Sequence, residues 1–396
     1  MDHFPIVLAI CREVMSGASP TTQRHVRKLK NALAKEGRAD QAAALDRLLD
    51  PIEVASTLVP SQVVLHGMAS PERLSPTVRP PVDRESGVPL ATVTFPDALD
   101  HSHFPILPER LDVAVAALID EWHVRKDLLA VGVKPPTTLL LFGPPGTGKT
   151  ELARRVASGF NLPLVTAQLD GLISSFLGTS ARNISMLFEF ANRYQCVLLL
   201  DEFDALAKVR DDPQEIGEIK RVVNSLLQCL DARRERGFTI AVTNHDHLLD
   251  PAIWRRFDVT IAVPIPGPQQ RRRIIERYMT GVKLQDAEIE YLTWQTEGQT
   301  GSEIETFCNS MKRYLVMNRG GEPSVFEASR IAATTRSRQS DPSRWDVLED
   351  RLDRLAQALI SDPGYHFTQK GLAGLLGTNQ STISRWVHSE RNADAK

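Results

Sequence analysis

The sequence predicts an α/β fold: a parallel sheet flanked by helices, with smaller helical units on either side of it. Three observations carry this. An apolar run, Leu139 to Phe142, meets a glycine-rich turn and then a helix-like stretch, ELARRVA. A second run, Val197 to Leu200, is wholly apolar and ends in two acids, the pattern of a strand buried on both faces. From about 98 to 266, such runs alternate with amphipathic stretches, which implies βαβ units.

Residues 1–58 read as a small helical domain. Ser19-Pro20 is a helix start, with the hydroxyl as N-cap. Val26, Leu29 and Leu33 share one face, ringed by Arg24, Arg27, Lys28 and Lys30. Gly37 ends that helix, and a second runs from Asp40 to Asp50-Pro51. Its basic side fits a docking surface and a merely solvated face equally. Residues 59–97 read as a linker, because 66–96 hold six prolines and little periodicity. Within 98–267, strands are expected at Leu139–Phe142, Leu162–Val165, Val197–Leu200, Thr239–Val242 and Thr260–Val263. Residues 268–338 read as helices with polar breaks, and 346–396 as a further helical unit.

A length of 396 residues suggests two to four domains. A net charge of −2 argues against a bulk polyanion binder, though not against one small DNA-reading module. Cys11, Cys196, Cys229 and Cys308 form no CxxC pair, so neither a disulfide framework nor a zinc site is expected, and a reducing cytoplasm fits. Ile6 to Met15 lacks a basic leader and reads as a core-facing helix rather than a signal peptide. No run of 18 apolar residues occurs, so no membrane span is expected.

GPPGTGKT, from Gly143 to Thr150, stands between strand and helix, the context of a phosphate-binding loop. Backbone N–H groups wrap a phosphate chain there, and the helix N-terminus favours its charge. The candidate nucleotide contacts are Gly143, Pro144, Pro145, Gly146, Thr147, Gly148, Lys149, Thr150 and Glu151. Lys149 faces the β and γ phosphates, and the Thr150 hydroxyl ligates Mg²⁺. The glycines give access to positive φ. ATP or GTP is the expected ligand. VLLLDE places Asp201 and Glu202 at a strand's carboxyl end, where open parallel sheets bind ligands. Asp201 is the second metal-ligand candidate, and Glu202 the base for the attacking water. AVTNHDHLLDPAIWRRFD brings Asn244 to the same edge, in reach of the γ-phosphate. Arg255 and Arg256 follow a helix start at Asp250-Pro251, so they point away from their own site, toward a neighbour's nucleotide.

Together these residues resemble an AAA+ ATPase over about 98–335, most like the AAA proteins related to katanin and spastin and to bacterial AAA proteases. GPPGTGKT matches the Walker A pattern, LLLDE Walker B, Asn244 sensor 1, and WRRFD the arginine-finger segment. TGSEIETFC, Thr300 to Cys308, is similar to the sensor-2 region, which places Gly301 and Ser302 against the nucleotide. No sensor arginine stands there. The resemblance implies an α/β P-loop core (98–267), a helical lid (268–338), ATP and Mg²⁺ as cofactors, and a homo-oligomer, a hexamer in this family, that acts on polypeptides. Phe176-Leu177-Gly178 resembles the aromatic–hydrophobic–glycine tip of pore loop 1, which grips an extended chain. The alternative is a core role for Phe176. Asp211 to Glu218 reads as a second, acidic pore-facing loop.

FTQKGLAGLLGTNQSTISRW, Phe367 to Trp386, resembles a repressor-type helix-turn-helix. Thr368 caps its first helix, Thr378 or Asn379 caps the second, Gly377 makes the turn, and Ile383 and Trp386 pack inward. Gln380, Ser381, Thr382, Ser384 and Arg385 are then candidate contacts to double-stranded DNA. From residue 363 on, Lys370, Arg385, Arg391 and Lys396 stand against Glu390 and Asp394, a thin footprint for one copy. A protein-interaction module with the same packing fits too. The chain carries no HExxH motif, so proteolysis requires a partner. The overall plan is also similar to bacterial ATPases encoded beside subtilisin-like serine peptidases, associated with plasmid incompatibility and phage defence, which implies a separate serine protease or effector as partner. A DNA-binding regulator controlled by ATP is the alternative function.

Overall fold

The computed structural model describes residues 71–99, 101–168, 172, 177–204, 216–234, 236–249, 251–318, 324–334 and 351–389. Nearer the N-terminus only 33, 40 and 41 are described; all are helical, and Leu33 is buried. The rest of the expected N-terminal hairpin lies outside the described residues. Two compact units divide between Ser70 and Pro71. All the described strands lie in the second unit.

They are β1 (Glu72–Arg73), β2 (Ala91–Thr94), β3 (Thr138–Phe142), β4 (Leu164–Ala167), β5 (Tyr194–Gln195), β6 (Val197–Leu200), β7 (Phe238–Thr243) and β8 (Val259–Ala262). Six of them form one sheet in the order β2-β4-β6-β7-β3-β8. All neighbours in it are parallel except β2 and β4. The apolar runs make sense here. Leu139 and Leu141 enter one core while Leu140 enters another; Val197 and Leu199 likewise part from Leu198 and Leu200. Alternate side chains leave a strand on opposite faces, so a central strand buried on both sides must be apolar throughout. The helices of this layer are α1 (Glu109–His123), α2 (Arg125–Ala130), α3 (Lys149–Gly159), α4 (Leu177–Arg193), α5 (Ile216–Arg233) and the short α6 (Pro251–Trp254). Arg233 is buried at the end of α5 and donates to the carbonyl of Cys196 (2.8 Å) and to Asn192 Oδ1 (3.2 Å). It pins the root of β6.

The structure corrects the linker expected at 59–97. Residues 71–97 belong to the core: Leu74 and Leu90 are buried, and β2 pairs antiparallel with β4 from Ala91↔Ala167 to Thr94↔Leu164. The prolines flank β2 rather than interrupt it, and an edge strand tolerates them there.

A second correction concerns the C-terminus. The lid helices are α7 (Pro268–Tyr278), α8 (Asp286–Gln295), α9 (Gly301–Met317) and α10 (Val325–Thr334), followed by α11 (Leu352–Ser361), α12 (Gln369–Leu375) and α13 (Gln380–Ser389). These are not two modules. Ile275, Tyr291 and Phe307 of the lid share one core with Leu355, Leu359, Leu372 and Ile383. Polar bonds reinforce it: Trp294 Nε1 donates to Asp362 Oδ2 (3.0 Å), Arg271 Nη2 to the Tyr365 hydroxyl (2.5 Å), and the His366 amide to Glu290 Oε1 (3.2 Å). A helix of seven residues such as α12 has too little apolar area to stand alone; it is stabilised against α8. Within this unit the local expectations fit. Thr368 accepts from the Gly371 amide (3.0 Å), Gly377 turns the chain at φ +62°, and Ile383 is buried.

Leu355→Ala tests the shared core. Truncating this buried leucine is expected to cost about 2–5 kcal/mol. Hydrogen exchange at the α9 amides is expected to rise together with that of α11–α13. A loss of protection confined to α11–α13 refutes a common core.

Candidate functional site

β3 ends at Phe142 and the chain turns through Gly143 (φ +139°), Gly146 (φ +75°) and Gly148 (φ +89°) into α3. These conformations favour glycine, and two positions are also crowded. A Cβ on Gly143 would strike the Val263 carbonyl. One on Gly146 would strike Ser302 Oγ and stand 2.8 Å from Thr300 Oγ1. Lys149 is buried, and its Nζ donates to the carbonyls of Gly143 (2.8 Å) and Pro144 (2.6 Å). Burial lowers its pKa, opposed by the charges of Asp201 and Asp204. Thr147 Oγ1 donates to the Pro144 carbonyl (3.0 Å), which stiffens the loop.

The neighbouring strands bring acids to the same edge. Thr150 Oγ1 donates to Asp201 Oδ2 (2.8 Å), and Asp201 Oδ1 accepts from the Glu202 amide (2.9 Å). A hydroxyl beside a carboxylate is the hard-oxygen donor set that suits Mg²⁺. Glu202 stands at φ +50°, one of two described non-glycine residues with positive φ. Such strain costs about 1–3 kcal/mol, and here it turns an exposed carboxylate out of the strand line. Asp204 accepts from Thr243 Oγ1 (3.1 Å), which also accepts from the His245 amide (3.0 Å). This bracket holds the end of β7, from which Asn244 enters the cavity.

That cavity measures about 340 Å³, within the range of small-molecule sites. Pro145 through Glu151, Asp201, Glu202, Asn244, Gly301 and Ser302 line it. The lid closes onto the loop through a backbone bond, the Ser302 amide donating to the Gly146 carbonyl (3.1 Å). Sequence reasoning missed the remaining wall: His103 and Pro105–Pro108 on one side, Ile274, Arg277, Tyr278 and Glu305 on the other. One signal was present, since Ile274 and Tyr278 are four apart and so share a helix face. Arg277 Nη1 donates to the Phe104 carbonyl (2.7 Å), tying lid to wall.

Other expected residues stand apart. Neither Arg255 nor Arg256 lines the cavity. The Arg256 carbonyl accepts from Thr138 Oγ1 (3.0 Å), at the amino end of β3. The phosphate loop leaves the opposite end of that strand, about 13 Å away at ~3.3 Å per residue. Arg256 is ion-paired to Asp231 (3.2 Å), whereas Arg255 is exposed and makes no ion pair among the described residues. Phe176 lies outside the described residues, as do 211–215 of the acidic loop; Leu177 and Gly178 open α4, and Ile216 opens α5. On α13, Gln380, Ser381 and Arg385 are exposed, while Thr382 and Ser384 are half-buried.

Residues 139–265 match the family model described as ATPase family associated with various cellular activities (AAA). A protein of Sinorhizobium fredii described as an uncharacterized AAA family ATPase, y4kL, is 32% identical over 332 residues, covering 80% of this chain and 97% of its own. A proteasome-activating nucleotidase of Methanothermobacter thermautotrophicus is 34% identical over 203 residues, covering 49% of this chain and 50% of its own. This chain thus spans nearly all of the first relative and half of the second. Among solved structures, the FIGL-1 AAA domain in complex with ADP superposes with a TM-score of 0.52 at 23% identity, covering 65% of this chain and 90% of that one. It shares the fold.

Gly146→Ala tests the loop. Positive φ and the contact with Ser302 both penalise a Cβ, by about 1–3 kcal/mol for the backbone alone. Titration with a fluorescent ATP analogue is expected to show affinity lowered at least tenfold. Wild-type affinity would remove the lid-to-loop contact from the binding geometry.

Proposed function

The chain belongs to the AAA family of ATPases, and from that premise we propose that it works as a homo-oligomeric ring in which ATP, hydrolysed between adjacent copies, remodels or threads a polypeptide. One observation carries this reading. The phosphate loop and acids stand at the carboxyl end of β3, β6 and β7, while Arg255 is exposed, makes no ion pair among the described residues and lines no part of their cavity. Such a chain holds two complementary half-sites that only a second copy can bring together.

The roles follow from chemistry. Lys149 and the N–H groups of residues 146–150 hold the β and γ phosphates. Thr150 and Asp201 would hold Mg²⁺, which neutralises phosphate charge when bound. Glu202 accepts a proton from water, and Asn244 orients that water against the γ-phosphate. Arg255 of the next copy meets the charge that develops on transfer, an effect worth ~10³–10⁵ in rate. Arg256, braced by Asp231, positions Arg255 rather than sharing its task. Gly301 and Ser302 close the lid on the phosphates. The tip at Phe176 grips the polypeptide through apolar area without sequence preference. The relative named as a proteasome-activating nucleotidase supports a polypeptide substrate and a separate peptidase as recipient. A subtilisin-like serine peptidase or other effector, with a role in phage defence or plasmid functions, is the sequence-based candidate.

A second reading, an ATP-controlled DNA-binding regulator, has its own support. No acidic residue occurs from Pro363 to Ser389, which include Lys370 and Arg385. Among the described residues of α12 and α13, no large apolar side chain is exposed. A polar, acid-free helix face suits a phosphate backbone better than an apolar protein groove.

Three outcomes are expected. Glu202→Gln retains ATP binding and lowers turnover at least a hundredfold, read by phosphate release. Mixing Glu202→Gln with Arg255→Ala protomers restores part of the activity, because one mixed interface is intact; no recovery places the arginine in its own subunit's site and sinks the shared-site reading. Phe176→Ala abolishes unfolding of a tagged substrate while ATP turnover persists. Function intact in that variant, with salt-sensitive duplex binding by the full chain, favours the DNA reading.

A further inference from the structure

The cavity wall holds a polar pair to which no role has yet been given. Glu305, on α9, and Tyr278, on α7, both line it, and the Glu305 carboxylate stands beside the Tyr278 hydroxyl and raises its pKa. Resting on the ATP-site reading above, we propose that Glu305, oriented by Tyr278, accepts the ribose hydroxyls of the bound nucleotide and so selects ribonucleotides over deoxyribonucleotides.

Position along α9 is the first argument. Gly301 and Ser302 touch the phosphate loop through the bond from the Ser302 amide to the Gly146 carbonyl. Glu305 lies three residues on, on the same helix face and about 4.5 Å further along the axis. A step of that size from the phosphates reaches the sugar, not the base. The same lining includes the apolar Pro105, Ile106 and Ile274, which suit the faces of a base ring.

Chemistry is the second argument. A carboxylate only accepts hydrogen bonds, and its two oxygens offer about four sites. Tyr278 stands beside them. The phenol stays a neutral donor, because burial and the adjacent Glu305 push its pKa up to about 12. Phosphate oxygens are acceptors too and repel Glu305, which leaves the sugar hydroxyls and the exocyclic amine of the base as donors; the short step along α9 favours the hydroxyls. Glu303 has no such freedom: it accepts from the Thr300 amide (2.7 Å) and Thr300 Oγ1 (2.9 Å) in the helix cap. Among the cavity-lining residues of the lid, Glu305 is the one acid.

The test measures KM and kcat for the full chain with ATP, 2′-deoxy-ATP, 3′-deoxy-ATP and GTP, and takes ratios within each variant so that partial misfolding cancels. In the wild type, at least one deoxy analogue is expected to raise KM about tenfold over ATP, the loss of one charge-assisted hydrogen bond. Glu305→Ala should raise KM for ATP and bring the deoxy-to-ATP ratio to about one. Glu305→Gln, which keeps an acceptor, should retain part of the discrimination, and Tyr278→Phe should weaken it. A wild-type enzyme indifferent to both deoxy analogues overturns the proposal. So does an Ala variant that keeps the wild-type ratio, or one in which only the GTP-to-ATP ratio changes, since that assigns Glu305 to the base. In each of those cases ATP is still hydrolysed, so the ATP-site reading survives; a wild type that turns over none of the nucleotides breaks that reading instead.

Discussion

The site depends on the backbone bond between the Ser302 amide and the Gly146 carbonyl. It joins two elements that otherwise meet only around the cavity: the phosphate loop of the sheet and the first turn of a lid helix. The bond forms because residue 146 has no side chain and a positive φ, so the loop carbonyl can approach α9. The Thr300 cap, closed by Glu303 on both amide and hydroxyl, aims that helix start at the loop. Remove the approach and the first turn of α9 no longer meets the loop. The cavity then loses a wall.

The lid is also more than a lid. Arg271 is buried and donates to the Pro266 carbonyl (3.0 Å), the Thr293 carbonyl (3.2 Å) and the Tyr365 hydroxyl. One guanidinium therefore joins the segment that leaves β8, a lid helix and the C-terminal turn. Since α7 also carries Ile274, Arg277 and Tyr278 into the cavity, any rotation of the lid on the sheet carries α13 with it. Close-packed cores shift as bodies rather than bending.

Much of this was legible in the residues. Every strand expected from an apolar run is present within two residues of its forecast bounds; the signal is strongest at β6, where all four residues are apolar and buried. The phosphate loop and the two acids were readable because their chemistry demands fixed residue types at fixed spacing. Two classes of feature were not. β2 is a four-residue edge strand whose partner, β4, lies some seventy residues on; its alternation is short, and the surrounding prolines mask it. The wall from His103 to Pro108 and the pair Tyr278–Glu305 are brought together across the fold; the helix spacing of Ile274 and Tyr278 gives a shared face but not what it meets. The shared core of lid and C-terminus was hidden for the same reason. Amphipathic helices announce an apolar face but not which neighbour covers it.

The arginine pair shows how far local sequence can divide roles. Arg255 and Arg256 are adjacent and chemically identical, and spacing alone treats them alike. The fold does not. Arg256 is spent on Asp231, and its own carbonyl is claimed by Thr138 and by Arg234, so it anchors the approach to β8. Asp258, two residues on, accepts from the amides of Thr137 and Thr138 and tightens the same corner. Arg255 is thereby presented outward from a fixed backbone, with its side chain exposed. A cation outside the cavity and an anion cradle within it are two different surfaces of one chain, and a contact between different surfaces that repeats must either close into a ring or run on as a filament.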